Sequence, residues 1–231
     1  MIPMPATGRP SVFIVVPAFN EAQAIRAVVQ GLLRADRTIV VIDDGSADDT
    51  LGRLDGLPVH RLRHAINRGQ GAALQTGIEW ALRHGADIIV TFDSDGQHDA
   101  DDIDRVIAPV AAGDCDLALG SRFLGRAIDI PAGRRLLLRL GVVFTRAVSR
   151  IDVTDVHNGL RAFSRRAASE LVISMDRMAH ASEILDQIAA HDWTWREVPV
   201  TVRYSDYSIA KGQHSSNAIR IALQMIAGKL R

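Results

Sequence analysis

The sequence lacks most of the features that mark secreted, nucleic-acid-binding and membrane-spanning proteins. It contains one cysteine, Cys115, so the chain cannot form a disulfide bond within itself. Basic and acidic residues number 27 each, and this zero net charge gives no support to general nucleic-acid binding. No apolar run reaches the roughly eighteen residues that a membrane-spanning helix requires. With no secretory signal evident, we expect a cytoplasmic protein without a nucleic-acid partner.

The composition and its distribution along the chain predict one folded domain, preceded by a leader and followed by a C-terminal helix. Apolar residues make up 47% of the chain and charged residues 23%, proportions typical of a globular protein. The first ten residues include three prolines, so we expect residues 1–10 to form a flexible leader. Residues 11–214 are expected to form the domain, and residues 215–231 a C-terminal amphipathic helix.

Short apolar strands alternate with helical segments along the domain. Strands are expected at Ser11–Val16, Thr38–Ile42, Val59–Arg63, Asp87–Phe92 and Asp116–Leu119. Helices are expected at Ala22–Arg34 with Asn20 as N-cap, from about Asp48, from about Asn67 to His84, and at Asp101–Ala112. This alternation predicts an α/β fold with a mostly parallel sheet and helices on both faces.

Polar, loop-forming clusters follow four of these strands. They are Pro17–Glu21, Asp43–Ser46, Asp93–Gln97 and Gly120–Arg122. Ligands of such sheets bind outside the carboxyl ends of the strands, so we expect the four clusters to meet at one edge. A solvated edge would explain polar residues there, but it would not explain two carboxylate pairs with a glycine or an amide beside each.

The carboxylates of Asp93 and Asp95 predict a metal site. Two carboxylates this close raise each other's pKa unless a cation lies between them. Their oxygens, with the amide of Gln97 nearby, suit a hard ion such as Mg²⁺ or Mn²⁺. The competing interpretation is a solvated acidic loop that caps the next helix, because Asp99 and Asp101 follow at once.

Several nucleotide-binding folds are poor fits to this chain. No Gly-x-Gly-x-x-Gly follows the first strand and no P-loop sequence is present, which argues against dinucleotide oxidoreductases and P-loop enzymes. Five other motifs occur in order: Pro17-Ala18-Phe19-Asn20-Glu21, Ile42-Asp43-Asp44-Gly45-Ser46, Asn67-Arg68-Gly69-Gln70-Gly71-Ala72, Asp93-Ser94-Asp95-Gly96-Gln97-His98 and Gly120-Ser121-Arg122. Together they resemble the signature of family-2 glycosyltransferases with the GT-A fold. Within that family, the likeness over residues 11–211 is to polyprenyl-phosphate sugar synthases of the dolichol-phosphate mannose synthase type.

The resemblance implies a GDP- or UDP-linked sugar donor, a Mg²⁺ or Mn²⁺ cofactor and inversion at the sugar carbon. It assigns nucleotide binding to Pro17, Ala18, Asn20, Glu21, Asp43, Asp44, Gly45, Gly71, Asp93 and Ser94. The metal would be held by Asp93, Asp95 and Gln97. The candidate catalytic residues are Asp95, Arg122, Asp155 and Lys211.

Arginines after the fifth strand favour a phosphate acceptor. Arg122, Arg134 and Arg135 are the expected cationic partners of acceptor phosphate, because the guanidinium fork fits phosphate oxygens. A hydroxyl acceptor needs a carboxylate base, whereas a polyprenyl phosphate is already an anion at neutral pH. No Glu-Asp pair follows Arg122 where a base would be expected. The expected acceptor is therefore a polyprenyl phosphate.

Two other functions stay open at this level. A glycosyltransferase could extend a polysaccharide or glycolipid through a hydroxyl group, with Asp155 or Glu183 as the base. The alternatives for those two residues are a loop anchor and a helix-surface or helix-contact role. A catalytically silent nucleotide-sugar binding protein is the other function, and the intact metal motif argues against it.

The segment Gly133–Arg150 predicts a basic amphipathic helix. Its arginines at positions 135, 139, 146 and 150 fall within an arc of about 60° on one helix face. Such a helix suits an anionic membrane surface, which a lipid-linked acceptor would require, although an ordinary solvated arginine face is the alternative. We expect a peripheral protein on the inner face of the cell membrane, and the resemblance allows a separate membrane-embedded partner.

The end of the domain departs from the family pattern in places. Glu197–Val200 followed by Lys211 matches a family stretch in which a lysine reaches the active site. Ser205 occupies the position of a usual arginine, and Asn158 replaces a usual serine. The polar stretch Ser205–Gln213 is expected to be either a mobile flap over the site or an inert surface loop.

Overall fold

The computed structural model of the protein describes residues 8–149, 151–174 and 180–211. Within these ranges the strands are β1 (Val12–Ala18), β2 (Arg37–Asp43), β3 (His60–Arg63), β4 (Ile88–Thr91), β5 (Leu117–Ile128), β6 (Arg161–Ser164) and β7 (Trp195–Arg203). The α-helices are α1 (Ile25–Leu32), α2 (Gln70–Arg83), α3 (Ile103–Ala111), α4 (Ala132–Ser149), α5 (Arg165–Glu170), α6 (His180–Ala190) and α7 (Asp206–Lys211). Short 3₁₀ helices occur at Gly52–Leu54 and Ala100–Asp102.

The strands form one sheet in the order β3-β2-β1-β4-β6-β5-β7. Strands β1 to β4 are paired in parallel, and so are β5 and β7. Strand β6 runs antiparallel between β4 and β5, so β4 and β5 point the same way. This arrangement confirms the α/β fold with a mostly parallel sheet that the alternating pattern predicted.

Helices cover both faces of the sheet, so both faces of the central strand β1 are buried. Phe13 and Val15 pack on one face with residues of α2, α5 and α6. Ile14 and Val16 pack on the other face with residues of α1 and α3. Successive side chains of a strand point to opposite faces, so a near-continuous apolar strand is needed between two helical layers.

The first helix begins at Ile25 rather than at Ala22, and Asn20 is not its N-cap. The backbone of Asn20 has a φ of +54°, in the left-handed region that asparagine tolerates, whereas an N-cap residue has extended backbone. The side chain of Asn20 instead accepts a hydrogen bond from the backbone N–H of Ala47 at 2.8 Å. Asparagine therefore joins two loops here rather than starting a helix.

The helix expected from about Asp48 is also wrong, because the chain there forms turns and the 3₁₀ helix Gly52–Leu54. The carboxylate of Asp48 accepts hydrogen bonds from the backbone N–H groups of Ala22 and Thr50, each at 3.1 Å. Short polar side chains that bind nearby backbone groups in this way compete with helix formation.

Gly120–Arg122 do not follow the fifth strand but lie inside it, because β5 extends to Ile128. The glycine that suggested a turn is required by close packing within the sheet. A Cβ atom on Gly120 would lie 2.7 Å from the carbonyl oxygen of Leu160. The cluster of Gly120–Arg122 is therefore part of the sheet and not a loop at its edge.

Some expectations fall on parts of the chain outside this description. These are residues 1–7 of the leader, Arg150, and the C-terminal helix at residues 215–231. The expected basic helix is present as α4. Among the residues that the structure describes, no helix combines the length and the apolar character needed to cross a membrane.

Candidate active site

The carboxyl ends of β1, β2 and β4 bring three of the polar clusters together. Ala18 at the end of β1 pairs with Asp43 at the end of β2, and the N–H of Asp44 donates to the carbonyl oxygen of Ala18 at 2.8 Å. Strand β4 ends at Thr91, and Asp93 follows two residues later. Pro17 is buried in β1, and Ser94 is buried beside Asp93. The structure thus forms the polar edge at which we expect ligands.

The carboxylate of Asp44 is buried and accepts several hydrogen bonds. The backbone N–H groups of Arg68 and Gly69 donate to its two oxygens at 2.9 and 2.7 Å. The imidazole of His64 lies 2.7 Å from the same group through Nδ1 and 3.0 Å from the hydroxyl of Thr76 through Nε2. The loop that begins α2 therefore folds around Asp44, which places the buried Gly71 in the first turn of that helix.

Asp43 is held mainly by its own loop. Its buried carboxylate accepts a hydrogen bond from the N–H of Ser46 at 3.1 Å and pairs with the guanidinium of Arg63 at 3.2 Å. Gly45, between these positions, lies against the backbone of Ile66. This packing joins the second polar cluster to the segment before α2.

The first polar cluster is held by the second. The N–H of Asn20 donates to the hydroxyl of Ser46, and the N–H of Glu21 donates to the hydroxyl of Thr50, each at 2.8 Å. The side chain of Glu21 is buried, and the hydroxyl of Tyr207 donates to its Oε2 at 2.7 Å. A residue near the C-terminal end of the described chain therefore contacts the expected nucleotide pocket.

Asp93 lies in a cradle of polar and close backbone contacts. Its carboxylate accepts a hydrogen bond from the amide of Gln70 at 2.9 Å, and its other oxygen lies 3.1 Å from Nε2 of His98. Gly159 packs directly against it, since a Cβ atom there would lie 2.0 Å from Oδ2 of Asp93. Burial raises the pKa of Asp93, but the hydrogen bond and charge of His98 outweigh it and hold that pKa below its usual value.

Asp95 lies in the opposite electrostatic situation. Burial, and next the negative charge of Asp93, raise the pKa of Asp95 to about 6, and Glu21 adds to the shift. The backbone N–H of Gln97 donates to its Oδ1 at 3.0 Å and opposes that rise. Asp93 and Asp95 oppose each other's ionisation, and a cation between the two carboxylates would relieve that repulsion.

The chemistry of these groups fits a hard divalent ion. The carboxylates of Asp93 and Asp95 and the amide oxygen of Gln97 are oxygen donors of the kind that Mg²⁺ and Mn²⁺ prefer. Residues 8–149, 151–174 and 180–211 contain no set of three Asp, Glu, His or Cys side chains already grouped as for a metal ion. Asp95 is the carboxylate whose raised pKa a cation would relieve most directly.

Arg122 is buried and is surrounded by hydrogen-bond acceptors. Its Nε and its backbone N–H donate to Oδ2 of Asp155 at 2.6 and 3.0 Å. Its terminal nitrogens donate to the hydroxyl of Tyr204 at 2.5 Å and to the carbonyl oxygen of His157 at 2.7 Å. Burial would lower the pKa of Arg122, but Asp155 and Tyr204 raise it above its usual value, so the guanidinium stays charged.

A second buried arginine, Arg161, was not assigned a role in the site from the sequence. Its guanidinium donates to the carbonyl oxygens of Asn158 and Val156, each at 3.0 Å. Burial lowers the pKa of Arg161 to about 10, an effect that Asp93 and Asp155 partly offset. Arg122 and Arg161 together bind three consecutive carbonyl groups of the loop that also presses Gly159 against Asp93.

The two residues considered as catalytic bases have different surroundings. Asp155 is buried in its ion pair with Arg122, and its other oxygen, Oδ1, is buried without a hydrogen-bond partner among the residues that the structure describes. Glu183 accepts hydrogen bonds from the backbone N–H and the hydroxyl of Ser174. These contacts match the alternatives of a loop anchor and a helix-contact residue.

The arginines of α4 do not form one continuous solvated face. Arg135 and Arg139 are exposed, whereas Arg146 donates to the carbonyl oxygen of Val153 at 2.9 Å and pairs with Asp152 at 3.0 Å. Arg134 is half-buried, with its guanidinium carbon 5.3 Å from the ring centroid of Tyr204. Tyr204 therefore lies between Arg134 and the buried Arg122.

Lys211 is the last residue of α7, and its side chain lies outside the described part of the chain. Its expected role in the active site stays a prediction. The sequence did not predict the site contacts of five further residues, which are His64, Gln70, Arg161, Tyr204 and Tyr207. The stretch Gln70–Gly71 was part of a recognised motif, but the long-range contacts of the other residues have no local sequence signal.

The mostly parallel sheet between helical layers, with carboxylate pairs at its edge, agrees with the GT-A fold that the motifs suggested. Residues 13–172 match the family described as glycosyl transferase family 2. The chain belongs to this family and is a glycosyltransferase, which confirms the resemblance that its five motifs suggested.

Two of the similar proteins have a dolichyl phosphate or a polyprenol phosphate sugar in their names. A UDP-N-acetylglucosamine–dolichyl-phosphate N-acetylglucosaminyltransferase of Methanococcus voltae is 31% identical over 95% of this chain and 96% of its own. A polyprenol monophosphomannose synthase of Mycolicibacterium smegmatis is 30% identical over 96% of this chain and 89% of its own. The crystal structure of glucosyl-3-phosphoglycerate synthase from Mycobacterium tuberculosis shares the fold, with a TM-score of 0.71, 20% identity and coverage of 96% and 80%. Another crystal structure of that enzyme contains Mn²⁺ and UDP-glucose.

Proposed function

We propose that this glycosyltransferase moves a sugar from a GDP- or UDP-linked donor to a polyprenyl phosphate, with inversion at the sugar carbon and with Mg²⁺ or Mn²⁺ as cofactor. The observation that carries this proposal is that one site contains both the carboxylates of Asp93 and Asp95 and two arginines, Arg122 and Arg134, in contact with Tyr204. Lipid phosphates appear in the names of the relatives from Methanococcus voltae and Mycolicibacterium smegmatis.

The donor nucleotide is assigned to the first two polar clusters. Their buried carboxylates, Asp43 and Asp44, are already oriented by backbone N–H groups, so binding requires little reorganisation. Glu21 belongs to the first cluster and lies near enough to Asp95 for its charge to raise the pKa of that carboxyl. Phe19 belongs to the first cluster, and its ring, which is 42% exposed, provides apolar surface there.

The metal site is assigned to Asp93, Asp95 and Gln97. A bound divalent ion would supply positive charge that stabilises the diphosphate leaving group. His98 and Gln70 hold the Asp93 carboxylate, and the backbone of Gln97 holds that of Asp95, so the two carboxylates are fixed relative to each other. Such prior positioning of charge is a main source of rate acceleration.

The acceptor phosphate is assigned to the arginines. A phosphate oxygen attacks the anomeric carbon while the bond to the nucleoside diphosphate breaks, and the electron pair leaves with the diphosphate. Arg134 and Arg135 lie at the start of α4, where an anionic headgroup can reach them, whereas the buried Arg122 acts through Tyr204, whose hydroxyl it binds and over whose ring Arg134 lies. The buried ion pair of Asp155 supports an anionic acceptor, because a carboxylate held in this way is a poor general base.

The exposed side of α4 is assigned to the membrane surface at the cytoplasmic face. Leu136, Leu140 and Val143 recur at helical spacing and are 57–65% accessible. Arg135 and Arg139 precede the two leucines and supply charge for anionic lipids. An apolar stripe flanked by arginines is the pattern of a helix that lies in the membrane interface.

The test is a transfer assay with a labelled nucleotide sugar, polyprenyl phosphate and Mn²⁺. We expect label in a chloroform-soluble product, loss of transfer on metal chelation, and a loss of about 10²–10³-fold in turnover for Asp95→Asn. Asp101→Asn is the matched control, because Asp101 is an exposed aspartate whose ion pair with Arg34 is at the surface. Label found only in water-soluble glycan would point to a hydroxyl acceptor and overturn the proposal.

A vesicle arm of the same assay tests the membrane contact. With the acceptor in anionic vesicles, Leu136→Ser combined with Leu140→Ser should reduce both sedimentation with vesicles and transfer. Val172→Ser is the control, since Val172 is equally exposed at 60% but lies outside α4. Equal sedimentation of the two variants would remove α4 from the membrane interface without affecting the assignment of the reaction.

A further inference from the structure

A short segment connects the donor pocket to the arginines of the acceptor side. The hydroxyl of Tyr204 accepts a hydrogen bond from Arg122 at 2.5 Å. Three residues later, the hydroxyl of Tyr207 donates to Glu21 Oε2 at 2.7 Å, across 186 residues of sequence. Two phenols of one segment therefore contact the two sides of the site.

The segment is folded in a way that fixes Tyr207. The N–H of Ser205 donates to the hydroxyl of Ser208 at 3.0 Å, and the N–H of Ser208 donates to the hydroxyl of Ser205 at 3.2 Å. The N–H of Tyr204 donates to the carbonyl oxygen of Ile128 at the end of β5. With its beginning anchored on the sheet, α7 is directed across the edge toward Glu21.

The charges around the Tyr207 hydroxyl ensure that it acts as a donor. Burial, and then the hydrogen bond to Glu21, raise the pKa of Tyr207 far above its usual value, and Asp48 and Asp95 act in the same direction. The phenol is therefore protonated at any working pH. It donates its hydrogen bond to Glu21, and the carboxylates of Asp48 and Asp95 lie close enough to affect it.

We propose that Tyr207 is a positioning residue that latches α7 onto Glu21 and so couples closure of the Ser205–Lys211 segment to occupancy of the donor pocket. This inference rests on the proposed function, because it takes Glu21 to be part of the nucleotide site. The latch holds the Glu21 carboxylate in place and sets the position of α7, whose last residue is Lys211. The donor then binds more tightly when α7 is closed.

The contact of Tyr207 with Glu21 favours a flap over an inert surface loop for residues Ser205–Lys211. Removal of one hydroxyl should loosen this segment without removing any group assigned to the metal or the diphosphate.

The test compares Tyr207→Phe with the unchanged enzyme in two measurements. In the free enzyme, amide hydrogen exchange of residues 206–211 should become faster, because the latch is lost. With Mn²⁺ present, the dissociation constants of UDP and GDP should be compared by calorimetry. We expect about tenfold weaker binding of the preferred nucleotide, as follows from losing a hydrogen bond to a charged group. The KM for the donor should rise with a much smaller change in kcat.

Asp206→Asn is the matched control, because Asp206 is an exposed residue of the same helix. It should leave nucleotide affinity and exchange of α7 unchanged. A double variant with Glu21→Gln tests the route of the effect, since Tyr207→Phe should add little once the carboxylate is neutral.

The outcomes separate the latch from the function on which it rests. If the unchanged enzyme binds neither nucleotide, the proposed function fails and the coupling fails with it. If it binds one of them and Tyr207→Phe binds that nucleotide equally well, the latch is wrong while the proposed function stands. Unchanged exchange in α7 would also overturn the latch, and full additivity with Glu21→Gln would show that Tyr207 does not act through Glu21.

Discussion

The side of the site that we assign to the donor (the donor side) and the side that we assign to the acceptor (the acceptor side) bury charges of opposite sign. On the donor side, the carboxylates of Asp43 and Asp44 are buried and accept hydrogen bonds from backbone N–H groups of neighbouring loops. On the acceptor side, the guanidinium groups of Arg122 and Arg161 are buried and donate to carbonyl groups of one loop. A buried charge is tolerated only when its hydrogen bonds are satisfied, and the backbone supplies donors on one side and acceptors on the other.

The comparison shows how one sheet can hold buried groups of either charge. In the proposed function, the donor-side aspartates oriented by N–H groups would present fixed acceptors to a nucleoside and a cation. Acceptor-side arginines oriented by carbonyl groups present positive charge and hold the loop around Asp155. Gly159 belongs to that loop and contacts Asp93, so the two sides meet at the metal motif.

The largest predicted effect comes from breaking the acceptor side at Arg122. Arg122→Gln should lower the free energy of unfolding by about 3–5 kcal/mol, because it leaves the buried carboxylate of Asp155 unpaired. Arg135→Gln, a change of the same type at an exposed position of α4, should change it by less than about 0.5 kcal/mol. Urea unfolding measures both, and equal effects of the two variants would refute the buried ion pair as a stabilising element.

A smaller effect is expected where the two sides touch. Gly159→Ala places a methyl group 2.0 Å from the Asp93 carboxylate, which must move away from Gln70 and His98. The loss of these hydrogen bonds to a charged group should cost about 3 kcal/mol in unfolding free energy and should weaken Mn²⁺ binding. Gly133→Ala in α4 has open space around its Cβ and serves as the control. Unchanged Mn²⁺ affinity in Gly159→Ala would separate the loop from the metal motif.

The smallest predicted effect is a pH dependence of the acceptor side at His157. Burial lowers the pKa of His157 to about 4, and Arg122, Arg161 and His180 act in the same direction while Asp155 opposes them. The unfolded chain takes up this proton near pH 6.5 and the folded chain near pH 4. Stability is therefore present above pH 6.5 and is lost as the pH falls toward 4.

His157→Asn should flatten the part of the stability profile that lies between pH 6.5 and 4. Unfolding free energies measured across that range for both proteins provide the comparison. His84→Asn, at an exposed position at the end of α2, is the control and should leave the profile unchanged. A profile for His157→Asn that superimposes on that of the unchanged protein would rule out a buried neutral imidazole.

The edge at which the polar clusters gather was predictable because the apolar strands before them are local signals. Asp43 ends one such strand and Asp93 follows another, and parallel strands end at one edge of a sheet. The errors there concerned how loops satisfy their hydrogen bonds. Asn20 and Asp48 were interpreted as helix-starting residues, but both bind backbone groups of the opposite loop.

The sequence by itself determined the α/β class, the order of the motifs and the edge at which the aspartates gather, because apolar periodicity and strand direction follow from neighbours along the chain. Only the tertiary structure decided the roles of Gly120, Arg122 and Arg161. A glycine is needed at position 120 inside β5 because the backbone carbonyl of Leu160, just before β6, approaches it, and the arginines are buried because a distant loop offers carbonyl groups and Asp155. Contacts across 33 residues or more depend on how the sheet brings distant segments together, and no local pattern encodes them.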